Sequence, residues 1–202
     1  MSNHKTQNGK QKATERESTA RYEIRLSGSG GQGLIFAGVA LAQAITTLDD
    51  SNVVQTQSYG PEARGGASRA DLVISDSEIY YPKPMKLNLL LALTQEACDN
   101  YFPDLKEDGL LIIDSDLVTQ VPTSRYVGVP FTQLAKNDIG VPMVANVIAL
   151  GAICAITGIV SEKALTEVVK LRAPRGTEEK NLAALKLGIK MGKQAKAGVV
   201  TS

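Results

Sequence analysis

Apolar positions along this chain switch between two periods, and the switching predicts alternating strands and helices. Residues 22–27 (YEIRLS) read as a strand, and from Leu34 to Thr46 apolar residues recur at helical spacing. Residues 52–57 (NVVQTQ) read as a second strand and 67–75 (ASRADLVIS) as a third. The run 87–93 is continuously apolar except at Asn88, the pattern of a strand buried on both faces. A helix is predicted from Thr94 to Tyr101, then a strand over 109–113 ending before Asp114, then a short strand over 125–129.

The segment 139–160 carries no charge and is long enough to span a bilayer. Pro142, Asn146, Gly151 and Gly158 interrupt it, and it has neither an aromatic belt nor a basic flank. It is therefore expected to be a core or interface helix. Ser161 is expected to cap the next helix, with Glu162 in its first turn and Ala164, Val168 and Leu171 forming one stripe that Leu165 and Val169 widen. Pro174 and Gly176 break that helix, and a last one follows over 178–196. Leu182, Leu185 and Ile189 line one of its faces, and Lys186, Lys190 and Lys193 the other. The pattern gives an α/β fold: a single Rossmann-like domain with a mostly parallel sheet, helices on both faces and a helical C-terminal region. Residues 139–160 and the last two helices together suggest more apolar surface than one domain needs, hence a heteromeric assembly.

Composition narrows the chemistry. The 202 residues suit one domain, and 22 basic against 21 acidic residues leave no broad field for nucleic acid or a membrane. Trp is absent and Phe scarce, which argues against stacking platforms for bases. Cys98 and Cys154 stand far apart in apolar helical contexts, with no Cys-x-x-Cys pair. They are expected to be core residues rather than ligands of an iron–sulfur cluster or zinc. The only histidine, His4, falls in the polar stretch 1–21, which lacks the apolar run of a secretory signal and is expected to be a disordered tail before a domain over 22–198. Without a histidine in that domain, Ser-His-Asp and Cys-His sites are excluded. No catalytic residue and no metal site are assigned.

Two loops hold the candidate chemistry. The first is Gly28-Ser29-Gly30-Gly31-Gln32-Gly33, which fits G-x-G-x-x-G and opens a helix whose N–H groups and dipole suit an anion. A nicotinamide dinucleotide would also need an acidic residue ending the second strand, but that strand ends in Gln55, Thr56 and Gln57. The second loop, Ser58 to Gly66, contains Tyr59, Glu62 and Arg64-Gly65-Gly66, where the glycines offer a backbone nest and Arg64 a forked donor for phosphate. The first two strands are expected to be neighbours in an open parallel sheet, so the two loops meet at their carboxyl ends.

The pairing of this glycine turn with the segment 57–75 (QSYGPEARGGASRADLVIS) resembles the gamma subunits of 2-oxoacid:ferredoxin oxidoreductases, most closely those specific for 2-oxoglutarate. Tyr81-Pro82, residues 89–97 (LLLALTQEA) and 111–115 (LIIDS) support the resemblance, which extends over about 22–192. It implies a cytoplasmic multi-subunit enzyme that decarboxylates a 2-oxo acid on thiamine diphosphate, passes electrons through iron–sulfur clusters to ferredoxin and delivers the acyl group to coenzyme A. Thiamine diphosphate with its Mg ion would belong to alpha and beta subunits and the clusters to partner chains, including a ferredoxin-like subunit; external ferredoxin would accept the electrons. The gamma region would help enclose coenzyme A, through Gly28, Ser29, Gly30, Gly31, Gln32, Gly33, Arg64, Gly65 and Gly66.

Alternatives stay open at several points. Glu62, and to a lesser degree Arg64, also suit pairing with each other or with a partner subunit, Tyr59 suits packing against the loop, and Arg69 suits a rim cation or a plain surface residue. A stand-alone nucleotide-binding or regulatory Rossmann-like protein is the second functional reading. A pyruvate or indolepyruvate version of the same enzyme is the third.

Overall fold

A computed structural model describes residues 21–47, 51–59 and 67–199. The tail 1–20 and the loop residues Glu62, Arg64, Gly65 and Gly66 lie outside the described residues. Six strands, β1 (Tyr22–Ser29), β2 (Asn52–Tyr59), β3 (Ala67–Ser75), β4 (Leu87–Ala92), β5 (Leu105–Asp114) and β6 (Tyr126–Val129), form one sheet in the order β2-β3-β1-β4-β5-β6. β1, β4, β5 and β6 are mutually parallel, whereas β3 runs antiparallel to both β1 and β2. The sheet is thus mostly parallel, with β3 as the reversed strand.

That reversal corrects the expected neighbourhood of the two loops. β1 and β2 point the same way but are separated by β3. Residues 60–66 are too few for a parallel crossover, which takes a dozen or more, so β2 and β3 pair as a hairpin. Two further boundaries move. Gly28 and Ser29 close β1 rather than belonging wholly to a loop. β5 begins at Leu105 instead of Gly109, with a register shift between the Leu87 and Leu89 pairings that leaves Glu107 and Asp108 exposed.

The helices are α1 (Leu34–Thr46), α2 (Gln95–Tyr101), α3 (Phe131–Leu134), α4 (Ala145–Thr157), α5 (Glu162–Arg172) and α6 (Glu178–Val199). Ser161 caps α5 as expected, accepting from the Ala164 N–H, and Thr94, expected as the first residue of α2, is its cap and accepts from the Ala97 N–H. Side-chain alternation along β4 shows the two-sided burial. Leu89 and Leu91 join the main core with α1, α4, α5 and α6, while Leu90 and Ala92 join a smaller core with Ala97 and Cys98 of α2. Helices therefore cover both faces, very unequally.

Two expectations about apolar surface fail. Every residue from Ala145 to Cys154 is buried within this chain, because α6 packs along α4 and consumes the face that was expected to be left over. Gly151, Gly188 and Gly192 make this approach possible: a Cβ on Gly188 would stand 2.0 Å from the Ile148 carbonyl oxygen. Leu171 does not belong to the buried stripe of α5, being 75 % exposed near the helix end. The large exposed apolar side chains include instead Tyr80, Tyr81 and Met85, in the β3–β4 connection.

Candidate functional site

The glycine turn sits at the carboxyl end of β1. Gly31 and Gly33 adopt positive φ, 92° and 70°, the backbone region that glycine enters without cost. Gly33 is also the N-cap of α1, with no side-chain cap and no acidic residue in the first turn. The first intrahelical bond runs from the Ala37 N–H to the Gly33 carbonyl at 3.1 Å. The N–H groups of Leu34, Ile35 and Phe36 thus precede the bonded part of the helix, at its positive end.

The glycines divide into two kinds. Gly28 and Gly33 face inward. A Cβ on Gly28 would meet Gln32 Oε1 at 2.2 Å, and one on Gly33 would meet Asn146 Nδ2 at 2.4 Å. Gln32 turns back on the loop, where its Oε1 accepts from the Ser29 N–H at 2.7 Å. Gly30 and Gly31 are exposed, and a Cβ on Gly31 would touch nothing within 4 Å. Of the six residues assigned to this turn, Gly28, Gln32 and Gly33 shape it, Gly30 and Gly31 present backbone outward, and Ser29, before them, is half-buried.

Asn146 is the residue the sequence reading passed over. It is 4 % exposed at the start of α4, donates from Nδ2 to the Gly33 carbonyl at 2.8 Å, and accepts the Val147 N–H at 2.8 Å. The signal was a lone polar side chain in an apolar run, a group that must find partners when buried.

Ser29 pairs with Ala67 and Gly28 with Ser68, so the start of β3 lies beside the end of β1. Tyr59 is the last residue of β2, paired with Ser68. The glycine turn and the start of β3 are thus neighbours, while the segment between Tyr59 and Ala67 lies outside the described residues.

On the α2 side of the sheet lies a cluster of charges. Arg25 donates to both oxygens of Asp71, at 2.7 and 3.1 Å, and to Asp104 at 2.5 Å. Burial opposes its charge, but the two carboxylates outweigh that and hold the guanidinium above its usual range. Arg25 lies 4.8 Å and Arg69 5.4 Å from the centre of the Tyr101 ring.

Asp114 ends β5 fully buried and accepts from the Thr132 N–H at 2.9 Å, the Thr132 hydroxyl at 2.6 Å and the Asp116 N–H at 3.1 Å. Burial nonetheless pushes its carboxyl above the usual range. Its bonds tie β5 to α3, a structural use. Cys98 and Cys154 are free and buried, and burial pushes the Cys154 thiol up to about 11, which keeps it protonated and unreactive at neutral pH. Among the described residues no group of His, Cys, Asp and Glu could hold a metal ion, and no helix is long and apolar enough to cross a membrane.

With this geometry in hand, similarity to known proteins is informative. The family model for pyruvate ferredoxin/flavodoxin oxidoreductases matches residues 23–191. The 2-oxoglutarate synthase subunit KorC of Methanocaldococcus jannaschii is 47 % identical over 179 residues, covering 86 % of this chain and 95 % of that one. The crystal structure of a keto/oxoacid ferredoxin oxidoreductase gamma subunit from Geobacter sulfurreducens superposes with a TM-score of 0.78 at 48 % identity, over 87 % of this chain and 98 % of the other. The fold also recurs, with a TM-score of 0.77 at 21 % identity, in the 2-oxoglutarate:ferredoxin oxidoreductase of Magnetococcus marinus, solved with 2-oxoglutarate, coenzyme A and succinyl-CoA. There it covers 89 % of this chain but only 32 % of the longer polypeptide.

Proposed function

Because this chain belongs to the pyruvate ferredoxin/flavodoxin oxidoreductase family as a gamma-type subunit, we propose that it helps a 2-oxoglutarate:ferredoxin oxidoreductase complex hold coenzyme A. The observation that carries the substrate is the near end-to-end match to a 2-oxoglutarate synthase subunit at 47 % identity. The partners in this reading are alpha and beta subunits that bind thiamine diphosphate and Mg, and a ferredoxin-like subunit that carries clusters, all in the cytoplasm, with external ferredoxin as acceptor.

The residues present fit coenzyme A. Its phosphates need several N–H donors and a cation. Gly30 and Gly31 leave backbone accessible at the positive end of α1, and a Cβ on Gly31 would have no described atom within 4 Å. Gly28, Gln32 and Gly33 keep that turn in shape, Ser29 joins it to β1, and Arg64, Gly65 and Gly66 supply the cation and a nest. When bound, coenzyme A supplies the thiol that takes the acyl group. This chain's part is to bind and orient it, without a catalytic residue of its own. Glu62 and Tyr59 shape the same edge or meet a partner.

The test is Arg64→Ala in the assembled enzyme. Loss of charged hydrogen bonds worth about 1.5–3 kcal/mol raises the Michaelis constant for coenzyme A roughly tenfold or more, with that for the oxo acid nearly unchanged. Gly31→Val acts in the same direction by closing the backbone approach. Unchanged coenzyme A kinetics together with a split complex would make the Arg-Gly-Gly segment an interface element instead.

A further inference from the structure

Arg69 is a cation with no hydrogen-bonding partner among the described residues, on the strand that runs beside the end of β1. It stands in register with Ser27 of β1 on one side and Ser58 of β2 on the other. Ser29, at the mouth of the turn, is two residues farther along β1, about 7 Å at the rise of a strand and within an arginine's reach. By strand alternation Ser27, Ser29, Arg69, Asp71 and Ser58 share the α2 side of the sheet.

The neighbouring acids do not satisfy Arg69. Both Asp71 oxygens receive Arg25, and the Arg69 Nε–Asp71 Oδ2 separation is 3.6 Å, beyond a hydrogen bond. Asp104 is likewise taken by Arg25. Arg69 Nε is enclosed with no partner, while the side chain as a whole stays 34 % exposed. Tyr101 supports the guanidinium at 5.4 Å from its ring centre. A guanidinium on an aromatic ring keeps its in-plane N–H groups free for a planar or tetrahedral oxyanion. Arg25 therefore neutralises the two acids, Tyr101 positions Arg69, and no acceptor among the described residues takes the donors of Arg69.

We propose that Arg69 binds a phosphoryl group of the coenzyme A molecule whose other contacts lie on the glycine turn. This rests on the coenzyme A reading above and adds a second cation, contributed by β3. The ligand chemistry is a phosphate ester or diphosphate; a partner subunit's carboxylate is the rival occupant.

The experiment uses the assembled complex carrying Arg69→Gln, with Arg69→Lys as the milder change should the first fail to fold. Each is assayed with coenzyme A and with 3′-dephospho-coenzyme A, varying the oxo acid separately. Arg69→Gln should raise the Michaelis constant for coenzyme A about tenfold and Arg69→Lys about threefold, because lysine keeps the charge and loses the fork. kcat and the oxo-acid constant should stay within about twofold. If dephospho-coenzyme A abolishes the difference, the contact is to the 3′-phosphate; if the difference persists, it is to the diphosphate, and either supports the proposal. An intact complex with unchanged coenzyme A kinetics in both variants overturns it, as does dissociation of the complex with unchanged kinetics of what remains assembled. A wild-type complex that turns over without coenzyme A refutes the underlying reading instead, so the two failures are distinct.

Discussion

Gly188→Ala sets two opposed effects against each other, and the structure decides which wins. In an exposed helix the change would stabilise by about 0.8–1 kcal/mol, since alanine is the better helix former. At this position the new Cβ would lie 2.0 Å from the Ile148 carbonyl oxygen, 2.8 Å from its carbon and 2.9 Å from its Cα. These are backbone atoms of α4 and cannot rotate away. Relief requires α6 to move off α4 by more than 1 Å, loosening the packing around Leu185 and Ile189. Overpacking of a well-filled core typically costs about 1–3 kcal/mol, and a backbone clash belongs at the upper end. The net is a loss of about 2 kcal/mol, or a fall in Tm of about 4–8 °C for a domain of this size. Thermal unfolding followed by circular dichroism measures it. Ala183→Gly, at an exposed position of α6, reports the propensity term alone and should cost about 1 kcal/mol. A rise in Tm for Gly188→Ala would refute the reasoning, because propensity would then outweigh the contact.

Stability should fall in alkali because of Cys154. Its folded pKa lies above the ordinary 9.0, at about 11, so the stabilising contribution is complete below pH 9 and is lost as pH rises toward 11. The loss is roughly 3 kcal/mol for one group at 3 % exposure, and Cys154→Ser should flatten the slope of unfolding free energy against pH in that window. Arg25→Met should cost about 3 kcal/mol, the lower end for a broken buried pair, because Asp71, at 5 % exposure, loses its bidentate partner and keeps only Arg69, whose Nε stands 3.6 Å away; chemical denaturation measures it, and adding Asp71→Leu should recover part of the loss.

Much of the fold was legible. β3 is bounded by Ala67 and Ser75 as the sequence indicates, and the two-sided burial of β4 follows from an apolar run interrupted only at Asn88. Strand direction was less accessible, since two strands joined by a short loop read the same whether the reader expects crossovers or hairpins. The length of 60–66 held the answer. The fate of 139–160 could not be read locally. Its apolar surface is consumed by α6, and that depends on Gly151, Gly188 and Gly192 meeting across two helices far apart in sequence. In the site, the glycine turn was plain, but the division of labour within it was not. Asn146 comes from 113 residues away to hold Gly33, and Arg25 pre-empts the acids that would otherwise have occupied Arg69.

The central claim concerns a subunit role, and the assembled enzyme tests it most directly. The complex containing this chain should be isolated from its native cells and assayed for reduction of a low-potential electron acceptor, with each 2-oxo acid in turn. The account predicts that this chain co-purifies with thiamine diphosphate-dependent and cluster-bearing chains. Reduction should then require both coenzyme A and 2-oxoglutarate, with pyruvate and indolepyruvate far poorer substrates. Recovery of this chain as a lone species, with no oxo-acid-dependent reduction in any fraction that contains it, would contradict the account.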